Sequence, residues 1–284
     1  MRITAVGDCG VDRYLNLRWD RPGGISLNFA VCARRLHPAS DSVGVVTALG
    51  SDPEAEVVRR AIAAFGLEAC LTTLPGATSL QCIDREPSGE KVFVRYEPGV
   101  LADYRMGPRE REVIADSDVL MAAVYSQVEG LFASVMGCPS RGLRAVDFGD
   151  LAGVTGGVGL VERYSERFDV GFFGLTVADG DRIDWLERLA RRSGRLLVVT
   201  LGAEGSLALG SEQRTACPAV PVPRIADTTG AGDSFAAGFL SEYCRTRRVP
   251  DSLRCGAEKA AHSIQQVGAF PWPGEPGTRG AERG

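Results

Sequence analysis

Apolar and polar positions follow two alternating rhythms along this chain. Short apolar runs at Ile3–Gly7, Ser42–Leu49, Val119–Val124, Gly142–Asp147, Phe168–Phe173 and Leu196–Thr200 predict buried strands. Helix-length stretches lie between them. Leu27, Ala30, Val31 and Arg34 repeat at spacings of three and four, which predicts a helix over Leu27–Leu36. Pro53–Phe65 predicts another, with Asp52 as N-cap, Pro53 at the first position and Gly66 just past the end. Strand–helix alternation of this kind predicts an α/β fold with a mainly parallel sheet and helices on both faces.

One region departs from that rhythm. Between Thr78 and Tyr96, two alternating stretches flank the turn Glu-Pro-Ser-Gly-Glu, which predicts a β-hairpin. It reads as a lid or oligomer contact, or as a plain edge hairpin. The residues after Pro273 lack apolar side chains for packing, so we expect one domain over 1–276 and a flexible tail at 277–284.

Composition narrows the classes. The chain has 284 residues, 44% of them hydrophobic, and a formal net charge of -4. This balance gives no basis for nucleic-acid binding, and the arginine pairs at 34–35, 59–60, 191–192 and 247–248 fall in helical stretches as solvated faces. The eight cysteines form no Cys-x-x-Cys pair and only two histidines are present, which argues against a zinc site. No secretory leader or membrane-spanning run is visible, so a cytoplasmic protein without membrane partners is expected.

The chemistry concentrates in Asp227–Leu240, Asp-Thr-Thr-Gly-Ala-Gly-Asp-Ser-Phe-Ala-Ala-Gly-Phe-Leu. Phe235, Phe239 and Tyr243 share one helical face, so Gly230, Ala231 and Gly232 sit where a loop enters a helix. Small residues there let backbone amides approach an anion, and the helix end adds partial positive charge. A transferring phosphoryl group suits such a hole. Asp233, in the first turn, is the candidate general base; the helix end should keep it ionised near pH 7. The alternative is an N-terminal Asp that only stabilises the helix.

The whole stretch resembles the second signature of the PfkB (ribokinase-like) carbohydrate kinases. Gly-Asp-x-x-x-Asp at 7–12 and Gly23-Gly24-Ile-Ser-Leu-Asn28 are similar to the family's substrate-side motifs. Val199–Ser206 and Ala257–Ala269 are similar to its nucleotide-side segments. The resemblance runs over roughly residues 3–272. It implies a ribokinase-like three-layer α/β/α domain with a small β-strand lid, formed by about 12–25 and 78–100, which in many members also pairs two subunits into a homodimer. It implies ATP and Mg²⁺, with a monovalent-cation site beside Asp227 and Thr229 as a further option. Asp8, Asp12, Gly23, Gly24, Asn28, Tyr96, Glu97 and Asp233 would then bind the acceptor. Thr200, Gly202, Gly205, Thr228, Gly230, Gly232, Ala257, Ala261 and Gly268 would bind the nucleotide. No Gly-x-Gly-x-x-Gly or Walker A pattern is present, which sets aside a dinucleotide-dependent oxidoreductase.

Two features qualify the resemblance. The family's Asn-x-x-Glu is missing from Phe168–Asp179, so the metal ligands stay unassigned: Mg²⁺ is held through ATP and water, or Asp179 or Asp150 substitutes. The segments 7–14, 96–104, 122–125 and 146–150 resemble the fructoselysine 6-kinase branch. That implies the 6-hydroxyl of a fructosamine as acceptor, with Glu97, Asp103 or Asp150 meeting its ammonium group. The alternatives are a kinase for another aminosugar, a nucleoside or an intermediate of specialised metabolism, and a non-catalytic sugar- or nucleotide-binding member.

Overall fold

The computed structural model describes residues 1–85 and 91–272. The hairpin turn at 86–90 and the expected tail at 277–284 lie outside the described residues.

The strands are β1 (Arg2–Val6), β2 (Gly10–Tyr14), β3 (Trp19–Gly23), β4 (Ser42–Leu49), β5 (Glu68–Thr73), β6 (Leu80–Arg85), β7 (Lys91–Glu97), β8 (Val119–Ala123), β9 (Leu143–Asp147), β10 (Val170–Gly174), β11 (Leu196–Thr200), β12 (Ser206–Leu209) and β13 (Arg214–Cys217). The helices are α1 (Ile25–Leu36), α2 (Pro53–Ala64), α3 (Pro108–Ala115), α4 (Glu129–Gly137), α5 (Val158–Tyr164), α6 (Gly180–Ser193), α7 (Ala231–Thr246) and α8 (Val249–Ser263).

A nine-stranded sheet runs β13-β12-β11-β10-β9-β8-β1-β4-β5, parallel from β11 to β5 and antiparallel only at β12 and β13. Its strands alternate between two cores. On β8, Val119 and Met121 join the cluster of α1, α2, α7 and α8, whereas Leu120 and Ala122 join that of α3, α4, α5 and α6. Burial on both faces explains why these strands read as unbroken apolar runs. No described helix is long and apolar enough to cross a membrane.

Local signals are realised closely at α2. Asp52 accepts from the Ala55 amide at 3.2 Å, a cap worth about 1 kcal/mol, and Gly66 follows with φ 62°. Helix α1 begins two residues earlier than the periodicity predicts. Its first residue, Ile25, faces a cavity and not the core, so it lies off the apolar stripe.

The lid is a second sheet, β3-β2-β6-β7, built from two excursions of the chain. β2 and β3 leave the main sheet after β1; β6 and β7 leave it after β5. The excursions are joined by parallel pairing of β2 with β6, and the predicted hairpin is the antiparallel β6–β7 pair.

Candidate active site

The loop into α7 is set by backbone constraints. Gly230 is left-handed at φ 74°, and a Cβ there would stand 2.1 Å from the Ala269 Cβ. Only glycine fits. Thr229 donates its amide (2.9 Å) and hydroxyl (2.8 Å) to Asp227 Oδ1, which shapes the turn just before it. The amides of Gly230, Gly232 and Asp233 make no hydrogen bond to another described residue. The Ala231 amide turns back to the Thr228 carbonyl at 3.2 Å, so the expectation that it lines the anion hole is not met. The open donors therefore cluster at a helix N-terminus, where an anion is favoured.

Asp233 is buried, and Asn28 Nδ2 donates to its Oδ2 at 2.9 Å. The other side-chain atom of Asn28, Oδ1, is buried without a partner among the described residues. The helix end's pull toward an ionised Asp233 is opposed by its surroundings. Burial pushes its carboxyl well above the usual range, and the negative charges of Asp147, Asp12 and Asp8 push the same way, against the Asn28 bond. Asp147, at the end of β9, is itself raised to about 6 by burial, opposed by the Gly149 amide bond. Sequence reasoning missed Asp147 as a site residue. Its position at the carboxyl end of a parallel strand was the available signal.

A cavity of about 350 Å³ opens on the lid side of Asp233. Of the residues expected at the acceptor, Asp8, Asp12, Gly24, Asn28, Tyr96 and Asp233 line it. Gly23 lies behind it: a Cβ there would stand 2.3 Å from the Asp12 carboxylate, so this glycine makes room for Asp12. Glu97 is not brought in. It follows Tyr96 on β7, faces the opposite side and pairs with Arg95 at 2.8 Å. Asp103 and Asp150 are exposed and do not line the cavity. Gln81, Phe93, Tyr125 and Gln127 do, and were missed. Asp8 accepts from Ser79, and the Tyr96 and Tyr125 hydroxyls lie 2.7 Å apart. Burial raises the Asp8 carboxyl, while bonds from Ser79, Tyr125 and Tyr96 oppose the rise.

A second cavity, of about 540 Å³, lies on the other side of the turn. Of the residues expected at the nucleotide, Thr200, Gly202, Gly205, Thr228, Gly232, Ala257 and Ala261 line it. Gly230 belongs to the lid-side cavity instead. Gly268 lines neither; it donates to Asp227 Oδ2 at 2.9 Å behind the turn. The loop Ala219–Val222 with Ile225 and Ile264 supplies an aliphatic wall that sequence reasoning missed, although Pro-Ala-Val-Pro-Val-Pro is a visible apolar run. Ser206 Oγ in this wall is buried without a partner among the described residues.

The substitutes considered for Asn-x-x-Glu are not at the site. Asp179 accepts from the Thr176 amide and hydroxyl and pairs with Arg182, closing a surface turn; these bonds hold its carboxyl below the usual range. Asp150 accepts from the Ala152 amide in an exposed turn. No group of three His, Cys, Asp or Glu side chains suited to a metal occurs among the described residues.

Residues 174–273 match the family model described as pfkB family carbohydrate kinase. A fructosamine kinase from Bacillus subtilis (strain 168) is 29% identical over 95% of this chain and 93% of its own length. A fructoselysine 6-kinase from Escherichia coli (strain K12) is 28% identical over 94% and 99%. The crystal structure of a ribokinase from Thermotoga maritima superposes with a TM-score of 0.78 at 19% identity, covering 95% of this chain and 96% of that one, which establishes a ribokinase-like fold. The fold is thus ribokinase-like, and the pfkB family match over residues 174–273, together with kinase relatives that span nearly the whole chain, supports a phosphotransferase acting on a sugar alcohol group.

Proposed function

We propose that this enzyme phosphorylates the 6-hydroxyl of a fructosamine, a sugar joined to an amine such as the lysine side chain, at the expense of ATP. The acceptor sits in the lid-side cavity and the nucleotide in the aliphatic one. Asp233 takes the proton of the acceptor hydroxyl as its oxygen bonds to the γ-phosphorus, and the bond from that phosphorus to the ADP oxygen breaks. The amides of Gly230, Gly232 and Asp233 receive the charge on the transferring group. Mg²⁺, arriving on ATP, supplies neutralisation of the phosphate oxygens. The scarcity of protein ligands suits an ion carried by phosphate and water, with Asp147 our candidate to hold one of its waters.

The observation that carries this reading is that Asp233 lines the lid-side cavity with Asn28 beside it, next in the chain to Gly232, which lines the other cavity. Asn28 Oδ1 has no partner among the described residues, so an acceptor hydroxyl could donate to it. The raised carboxyl supports the role, because a stronger base accepts a proton from an alcohol more readily. Two observations support a fructosamine. Two relatives that span nearly the whole chain, at 28% and 29% identity, carry that activity in their names, while 2-dehydro-3-deoxygluconokinases span it at 26%. Asp8 and Asp12 also give the acceptor cavity a carboxylate lining that suits an amine-bearing sugar. Another aminosugar or a nucleoside would share the Asp233 chemistry. We also read the lid as the contact for a second copy, because Leu15, Leu17, Phe93 and Val94 on it are exposed. The drain on ATP suits a cytoplasmic enzyme.

The test is ADP release with Mg²⁺-ATP and a panel of fructoselysine, other fructosamines, hexoses, aminosugars and nucleosides. Fructoselysine should give the highest kcat/KM, and the product should carry phosphate on C6 by NMR. Preference for a nucleoside or plain hexose would refute the substrate. Binding without any turnover would refute the enzyme reading and favour a non-catalytic sensor.

A further inference from the structure

Arg21 is the largest side chain in the deepest part of this protein, only 2% exposed on strand β3. A buried guanidinium is costly unless its donors and charge are matched. Its Nη2 donates to the Phe270 carbonyl, and its plane lies 4.6 Å over the Trp19 ring. Its Nε presses on Gly268, where a Cβ would stand 2.5 Å away. Gly268 in turn donates its amide to Asp227 at 2.9 Å. One residue thus touches both the buried cation and the buried carboxylate.

The Asp227 carboxylate is fully occupied. Oδ1 accepts from the Thr229 amide and hydroxyl at 2.9 and 2.8 Å. Oδ2 accepts from the Tyr14 hydroxyl at 2.5 Å and from the Gly268 amide. Four donors fill about four lone-pair positions, so this side chain has no oxygen site left for a metal ion. The Asp227 side chain therefore does not fit as a ligand for the monovalent cation that the family resemblance offers.

We infer that Arg21 is a built-in cation that replaces a bound monovalent ion and braces the turn beneath the anion hole, an inference that rests on the kinase reading. The mechanical path is short. Ala269 lies between Gly268 and Phe270, both of which Arg21 touches, and it packs directly under Gly230. Arg21 thereby ties lid strand β3 to the glycine whose amide faces the transferring phosphoryl group. It touches neither substrate and acts as a positioning residue.

Two measurements test this. The first uses the unaltered enzyme, with ADP release from Mg²⁺-ATP and fructoselysine compared in KCl, NaCl and tetramethylammonium chloride at equal ionic strength. Rates should agree within about 2-fold, and activation by K⁺ of about 10-fold or more would overturn the inference. The second, which needs no turnover, is the melting temperature in KCl against tetramethylammonium chloride. It should be unchanged, whereas a K⁺-specific rise would reveal an ion bound to the folded state and would also overturn it. If fructoselysine is not an acceptor, the melting comparison still decides, so failure of the substrate reading is separable. In Arg21→Ala, kcat should fall by about 30-fold or more with KM for ATP nearly unchanged, and added guanidinium at low millimolar concentration should restore part of it. Undiminished kcat, or a loss that guanidinium and K⁺ both leave untouched in a folded variant, would count against a cationic role. If that variant does not fold, the two measurements on the unaltered enzyme stand alone.

Discussion

The two cavities that meet at Gly230–Asp233 are walled by opposite chemistry. The lid-side wall buries carboxylates and tyrosines: Asp8, Asp12, Asp233, Tyr96 and Tyr125. The other wall is backbone, small side chains and aliphatic groups: Gly202, Gly205, Ala257, Ala261, Val220 and Ile264. Burial raises the carboxyls of Asp8, Asp147 and Asp233, and the charges of Asp147, Asp12 and Asp8 raise that of Asp233 further, so repulsion converges on the candidate base. The aliphatic side offers shape and apolar surface, which suits a flat heterocycle. Substitutions on the two sides should therefore fail in different ways.

The sharpest break in that comparison is Asp233→Asn. It keeps the shape of the site and removes the proton acceptor. Turnover should fall by roughly 10²–10⁴-fold, the range for loss of a general base. Nucleotide affinity, measured by calorimetry with ADP, should change by no more than about 3-fold. Near-normal turnover would show that Asp233 is not the base.

The matching insult on the aliphatic side is Ala261→Leu. Ala261 is buried in α8 against the cavity proposed for the nucleotide, so a larger side chain would intrude on the base of a bound nucleotide. Overpacking of about 1–3 kcal/mol corresponds to a rise in KM for ATP of roughly 5- to 150-fold. KM for the acceptor should stay within about 2-fold. Equal effects on both constants would mean that the cavities are not separate sites.

Asp147→Asn probes the stored repulsion with less damage. The Asp147 carboxyl has a folded-state pKa of about 6, above its ordinary 3.8. The folded protein thus holds a proton there that the unfolded chain releases between those values. Stability from this group is present below pH 3.8 and is lost as pH rises through 6. The variant, which cannot ionise, should be more stable than the parent at pH 7–8 by about 1–2 kcal/mol, with no difference near pH 4. Its acid limb of kcat/KM should also move to lower pH, because Asp233 loses its strongest repulsive neighbour. An unmoved limb would uncouple the two carboxyls.

How much of this was legible in sequence follows from how local each feature is. The α7 entry is local: Asp227, Thr229, Gly230 and Asp233 lie within seven positions and shape one another directly. Strands β1, β4, β8, β9, β10 and β11 were legible because burial on both faces leaves apolar runs. Strand β5 was not, since it is the sheet edge and its pattern is half exposed. Tyr125 and Gln127 follow β8 and Asp147 ends the neighbouring β9, and only the sheet order reveals that they converge near Asp233. Glu97 and Tyr96 show the limit from the other side: adjacent in sequence, they face opposite sides of the lid. Gly268 was read as a nucleotide contact because the family segment spans it, while its donor and its φ of 74° serve Asp227 and Arg21 instead.

The mildest test is Tyr96→Phe, which takes one hydroxyl from the lid. That hydroxyl lies 2.7 Å from the Tyr125 hydroxyl, and the rings meet edge-on at 4.9 Å. The phenylalanine keeps the ring contact and removes the polar links from lid strand β7 to Tyr125, just past β8, and to Asp8. A neutral hydrogen bond contributes about 0.5–1.5 kcal/mol, and Tyr125 retains Asp8 as a neighbour, so its own hydroxyl is not stranded. KM for the acceptor should rise by roughly 2- to 10-fold, with kcat and KM for ATP close to the parent. A fall in kcat with unchanged acceptor KM would instead mean that the tyrosine pair positions Asp233, and the lid side could no longer be divided into a binding wall and a reacting carboxylate.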